Sequence, residues 1–286
     1  MAPAPGLIYK PKLSLHRNTT PNSTNFKKIP STTVNPHLYL SNSYIEIANT
    51  FKMSEVKRVA FIPLESNPDT FNSLAHKLGL SPSLSFTDVY SLTDPDLLSF
   101  IPRPVHALIL IFPTSEDSAK QNNHLYAQAT ATGPVLYIKQ TIKNACGLMA
   151  LLHSVLNGVV AEKHLVEGSN LAALLEEAKP LDPYARAELL INSPSLAAAH
   201  KEAAEAGETE APDAEAEVDY HYIAFVRGTD GGVYEMDGSQ KTGERRIVES
   251  SGEDLLASEE VRIAVGKIME DTGSVHCGIL ALAEGA

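Results

Sequence analysis

The chain has 286 residues, 43% of them hydrophobic, a net charge of −12 and two cysteines, Cys146 and Cys277. Its length supports one substantial core; the acidic balance argues against a nucleic-acid binder, and two cysteines exclude a disulfide framework and point to a reducing, cytoplasmic or nuclear setting. The longest apolar run, VHALILIF at 105–112, falls far short of the roughly 20 residues that cross a bilayer, so no membrane span is expected.

Residues 1–56 read as a separate extension. No acidic residue precedes Glu46, whereas Lys10, Lys12, Arg17, Lys27 and Lys28 make the segment basic, and its Ser, Thr, Asn and Pro content shows no apolar period. Lack of acid and abundance of Ser also suit an organelle signal, against which stand its single Arg and frequent Pro and Asn. Met53 offers an alternative translation start. A single catalytic-size domain is expected over 57–286.

From Val59 the pattern becomes regular. RVAFIP predicts a short strand, PDTFNSLAHKLGL a helix stopped by Gly79, FTDVYSL an extended piece, and DPDLLSFIPRP a short helix beginning at Pro95. VHALILIFP predicts a central strand and GPVLYIK another, which runs into a helix carrying Leu148, Leu151, Leu152, Val155 and Val159. Helices follow over GSNLAALLEEAKP and DPYARAELLINS. The acidic stretch from Ala197 to Asp219 is nearly devoid of large apolar residues and reads as a long mobile loop. YHYIAFVRGTDGGVYEMDG predicts a hairpin, ASEEVRIAVGKIMED a helix, and CGILALA a closing strand with Cys277 buried in it.

Cys146 falls in the first turn of its helix, with Asn144 as a cap; there the free N–H groups and the helix dipole favour thiolate over thiol. His153 shares its face, but a rise of about 1.5 Å per residue puts it roughly 10 Å along the axis, so it reads as a core residue. His221 alternates with Ile223 and Phe225 on the hairpin's apolar face. Pairing Val226 with Gly232 sets His221 directly across from Asp237; slipping the turn leaves them diagonal neighbours, and in both registers the carboxylate can orient the imidazole. Gln140, at the strand-to-helix junction, can offer its amide beside the Cys146 N–H to an oxyanion. Together these residues make a Cys–His–Asp set with an oxyanion hole, in the chain order of papain-like proteases.

The segment KQTIKNACGLMALLHSV resembles the active-site segment of the ubiquitin carboxyl-terminal hydrolases, and PLESNP, FTDVYSLTDPDLLSFIPRPVHALILIFP and VDYHYIAFV with YEMDG fall in that family's order. The resemblance implies an α+β, papain-like cysteine protease fold, with a central antiparallel sheet flanked by helices and a knotted backbone. It implies thiol-dependent cleavage at ubiquitin's C-terminal glycine without a cofactor or metal, by a monomer. Cys146 matches the nucleophile, His221 the base, Asp237 the orienting acid and Gln140 the oxyanion donor. Pro63, Leu64 and Glu65 match a segment lining the groove for ubiquitin's tail, Leu97 and Leu98 a region near ubiquitin's body, and residues 197–217 an active-site crossover loop. Two alternatives are a ubiquitin-binding module with little turnover, and a hydrolase of a ubiquitin-like modifier such as NEDD8.

Overall fold

The computed structural model describes residues 59–114, 133–240, 243–249 and 251–285; the extension assigned to residues 1–56 lies outside them. Among the described residues the first helix is α1 (Pro68–Leu78), which Asn67 starts by accepting the Asp69 N–H and Gly79 ends at φ 112°, a left-handed turn that suits glycine. Strand β1 (Leu84–Asp88), helix α2 (Pro95–Ser99) and strand β2 (Val105–Pro113) follow. Helices α3 (Cys146–Val155), α4 (Gly158–Lys163), α5 (Asn170–Ala178), α6 (Pro183–Ile191) and α7 (Pro194–Glu205) come next. Strands β3 (Tyr220–Arg227), β4 (Val233–Met236) and β5 (Arg245–Val248), helix α8 (Glu259–Asp271) and strand β6 (Gly278–Glu284) complete the order.

The strands form one antiparallel sheet in the order β1-β6-β2-β3-β4-β5. Because side chains alternate across a strand, each strand feeds two cores. Ala107, Ile109 and Ile111 of β2 join Tyr222 and Ala224 of β3 under α1 and α3, in the larger cluster. Leu108 and Leu110 join Ile223 and Phe225 on the opposite face, where Val261 and Val265 of α8 cover them. This is the expected α+β architecture: a central antiparallel sheet with helices on both faces.

Three sequence expectations change. The RVAFIP strand reduces to an isolated bridge between Ala60 and Lys143, and GPVLYIK is extended and buried but makes no ladder. The Asn157 side chain satisfies the backbone there, its Oδ1 accepting the Leu136 N–H at 2.6 Å and its Nδ2 donating to the Leu136 carbonyl at 3.2 Å. The loop expected from Ala197 begins only after Glu205. Its first third extends α7, because alanines favour helix and need little room: Ala199, Ala203 and Ala204 are buried. His200 is buried with them, donating from Nε2 to the Ile62 carbonyl at 2.8 Å.

Candidate active site

Residue 146 opens α3 at the base of a cleft. The backbone turns through Asn144 at φ 57°, and Ala145 occupies the cap position with no side-chain hydrogen bond. Asn144 is therefore not the helix cap. Its amide points the other way, donating to the carbonyls of Ala214 and Ala216 at 2.9 and 2.7 Å. The first N–H groups of α3 consequently have no capping side chain and remain available at the Cys146 end. Gly147 permits close packing there: a Cβ on it would lie 3.2 Å from Leu64 Cβ.

The second half comes from the hairpin. Pairing runs from Ala224 opposite Met236 to Arg227 opposite Val233, which is the slipped register and leaves Asp237 on the diagonal from His221. His221 Nε2 lies 2.7 Å from Asp237 Oδ1. Asp237 is fixed in turn by the Ser239 N–H and the Gln240 amide, each at 2.9 Å. The edge of Phe112 meets the imidazole, with ring centroids 5.7 Å apart.

Burial by itself would lower the basicity of His221, but the charge and hydrogen bond of Asp237, joined by a hydrogen bond with Cys146, outweigh it and hold the ring up to about 10. Burial acts against the Asp237 carboxylate as well; His221 and the bonds from Gln240 and Ser239 nevertheless keep it well below the usual carboxylate range. The ring thus contacts the carboxylate through Nε2 and has Nδ1 for the thiol. Such a Cys–His–Asp chain can deliver a nucleophile and recover a proton.

Gln140 is held beside Asp237 by its backbone, whose N–H donates to the Gly238 carbonyl at 2.9 Å, and its Nε2 donates to the Ile142 carbonyl at 3.2 Å. His153 stays in the core, as its position seven residues along the helix requires. It is fully buried, stacked on Tyr137 at 5.4 Å, with Nε2 accepting the Ile138 N–H at 3.1 Å, and burial pushes it down to about 4.

A cavity of about 530 Å³ opens at Cys146, and Pro63, Leu64 and Glu65 are among the residues that line it. Leu97 and Leu98 do not line it; they lie on α2, Leu97 partly exposed and Leu98 against the α8 core. Cys277 lines the same cavity as Cys146 and is half-buried just ahead of β6, not inside the strand as expected, because its Sγ turns back to Ser274 at 3.5 Å.

Residues 206–219 border this cavity, to which Thr209 and Val218 contribute. They are tied down at several points. The Glu208 N–H donates to Glu65 at 2.7 Å, Lys143 Nζ reaches the Glu215 carbonyl at 2.6 Å and Glu217 at 3.2 Å, and Asn144 holds residues 214 and 216. Nothing local marks these anchors: Asn144 reads as a helix cap, Lys143 carries no signal, and their partners lie about 70 positions away.

The model of the family "Ubiquitin carboxyl-terminal hydrolase, family 1" matches residues 61–270. The chain is 36% identical over 221 residues to the ubiquitin carboxyl-terminal hydrolase YUH1 of Saccharomyces cerevisiae, covering 74% of this chain and 89% of that protein. It is 39% identical over 186 residues to a ubiquitin carboxyl-terminal hydrolase of Aplysia californica, covering 63% of this chain and 83% of the relative. In fold it is similar to the Trichinella spiralis UCH37 catalytic domain bound to ubiquitin vinyl methyl ester, with a TM-score of 0.61 at 21% identity, covering 79% of this chain and 96% of the other.

Proposed function

The chain belongs to family 1 of the ubiquitin carboxyl-terminal hydrolases, and we propose that in its thiol-dependent hydrolysis at ubiquitin's C-terminal glycine Cys146 is the nucleophile, His221 the acid and base, Asp237 the orienting carboxylate and Gln140 an oxyanion donor. The observation that carries this assignment is the 2.7 Å contact of His221 with Asp237, with Cys146 at an uncapped helix start and close enough to His221 to add to its basicity.

The reaction follows from the geometry. Cys146 sulfur, as thiolate beside the His221 imidazolium, attacks the glycine carbonyl carbon. Negative charge builds on the carbonyl oxygen and is received by the Cys146 N–H and by the second N–H of the Gln140 amide, the first being engaged by Ile142. His221 gives its proton to the departing amine, the C–N bond breaks, and ubiquitin remains as a thioester on Cys146. Water then attacks the thioester as His221 takes its proton, releasing the ubiquitin carboxylate and restoring the thiolate pair.

Asp237 keeps the imidazole in place through both steps. Pro63, Leu64 and Glu65 line the approach of ubiquitin's tail, and Glu65 brings a carboxylate to a cationic peptide. Leu97 and Leu98 would meet the body of ubiquitin from α2, outside the cavity. The crossover over residues 206–219 limits the leaving group.

The test is release of a fluorophore from ubiquitin's C-terminus by the wild type and Cys146→Ala, together with labelling by a ubiquitin C-terminal electrophile. Turnover lost in the variant and an adduct on Cys146 are expected. Equal inertness of both proteins while ubiquitin still binds would leave a binding module instead, and faster turnover of a ubiquitin-like conjugate would reassign the substrate.

A further inference from the structure

At the far end of β2 from the catalytic residues, three side chains of metal-ligand type converge. One ligand atom each of His106, His164 and Glu284 all lie within 4.8 Å of one another. His221 pairs with Phe112, and six residues of strand at about 3.3 Å each separate that position from His106 by roughly 20 Å. The cluster is therefore distinct from the Cys146 site.

The strand geometry aims His106 into the cluster. Against β6, Val105 pairs with Ala283 and Ala107 with Leu282, so residue 106 is the extra residue of a bulge. Bulges re-aim a side chain that the pleat would otherwise send to the opposite face. The His106 side chain is 5% exposed, and its Nε2 has no hydrogen-bond partner among the described residues. Glu284 Oε1 lies 3.6 Å away, within ion-pair reach of a protonated ring but too long for a hydrogen bond. An unpartnered ring nitrogen at that burial is unfavourable and asks for a ligand.

We propose that His106, His164 and Glu284 form a zinc-binding site that joins β2, β6 and the end of α4. Two imidazoles and one carboxylate suit zinc in preference to calcium or magnesium, which take oxygen ligands, and leave a fourth position for water. Tetrahedral bonds near 2.1 Å bring ligand atoms to about 3.4 Å from one another, so the cluster closes by roughly 1 Å on binding. Glu284, with a half-exposed side chain, is the residue able to swing in.

Ser83 supplies the outer contact: its Oγ lies 3.4 Å from His164 Nδ1, and such a contact orients a ligating ring. The two histidine rings lie 5.7 Å apart between centroids.

The experiment uses the untagged full chain carrying Cys146→Ser and Cys277→Ser, so that neither thiol competes for metal. Zinc uptake is measured by competition with a chromophoric chelator, and Co²⁺ is added as a spectroscopic probe. One equivalent of zinc, tetrahedral-type Co²⁺ absorption and a raised Tm are expected. His164→Gln and Glu284→Gln should each weaken uptake about tenfold or more, with unchanged metal-free urea midpoints. In chains with both cysteines intact these two substitutions should leave ubiquitin hydrolysis unaltered, which separates this site from the catalytic assignment. No uptake at tens of micromolar zinc, or uptake indifferent to both substitutions, would overturn the proposal.

Discussion

His221 and Asp237 meet at 2.7 Å through the imidazole Nε2, across a diagonal of the hairpin and past the last ladder pair. The contact fixes which ring nitrogen faces Cys146, and it supports the cationic ring.

Asp237→Asn removes the charge while keeping the shape. We expect kcat/KM to fall about 10²- to 10⁴-fold, as when a triad carboxylate is replaced by its amide. The ring, held at about 10 chiefly against the opposing effect of burial by Asp237, should lose its proton at lower pH without it. The alkaline limb of the pH–rate profile should therefore move down by more than one unit. An unchanged limb and rate would show that Asp237 only shapes the hairpin.

His153 makes an opposite, purely structural prediction. Its folded value of about 4 lies below its ordinary 6.5, so between these pH values the unfolded chain binds more protons and stability falls as pH drops. This single group accounts for a loss of about 3 kcal/mol by pH 4, at 1.36 kcal/mol per unit. Burial lowers His106 and His200 as well, so they add in the same direction. Urea midpoints at pH 7 and pH 4.5 should converge in His153→Gln relative to wild type, with thiol reactivity at Cys146 retained. Loss of that reactivity in a folded variant would return His153 to the catalytic machinery.

Lys143 and Asn144 tie the crossing segment to the base of the nucleophile's helix. Asn144→Gly keeps the left-handed backbone accessible while deleting two hydrogen bonds, and Lys143→Gln removes the cation. At about 1 kcal/mol net per bond, losing two shifts the tethered arrangement by about 2 kcal/mol, roughly 30-fold. The ratio of kcat/KM for a folded leaving group to that for a small fluorophore should rise. A ratio that stays constant, with normal turnover of the small substrate, would mean that these anchors do not set the size limit.

The pairing of His221 with Asp237 and the place of Cys146 are legible because each lies in an element with strong local signals: Cys146 at the head of an apolar helix, His221 and Asp237 on the two hairpin arms. The strands expected at RVAFIP and GPVLYIK do not form ladders, because an apolar, buried stretch gives the same pattern whether its backbone partner is a strand or, as at Leu136, the amide of Asn157. Strand β5 was missed for the converse reason. RRIV is half polar, and its pairing depends on β4 and on the Arg245–Glu235 ion pair. The helical start of the acidic stretch was missed because small alanines, not large apolar side chains, bury its face. The bulge at His106 leaves no mark in an unbroken run of apolar residues.

Extension of α7 to Glu205 shortens the free crossing to residues 206–219, and that has a topological consequence. About 14 residues at 3.3 Å give a contour near 46 Å, and an arch of that length standing on the body of the protein clears at most about 18 Å. A single helix or an extended strand passes such an eye; a folded domain of some 30 Å does not. Under the proposed crossover, a leaving group therefore passes by a slender end or not at all. Discrimination among conjugates would then follow how readily the departing chain presents a slender end, whatever residues that end carries.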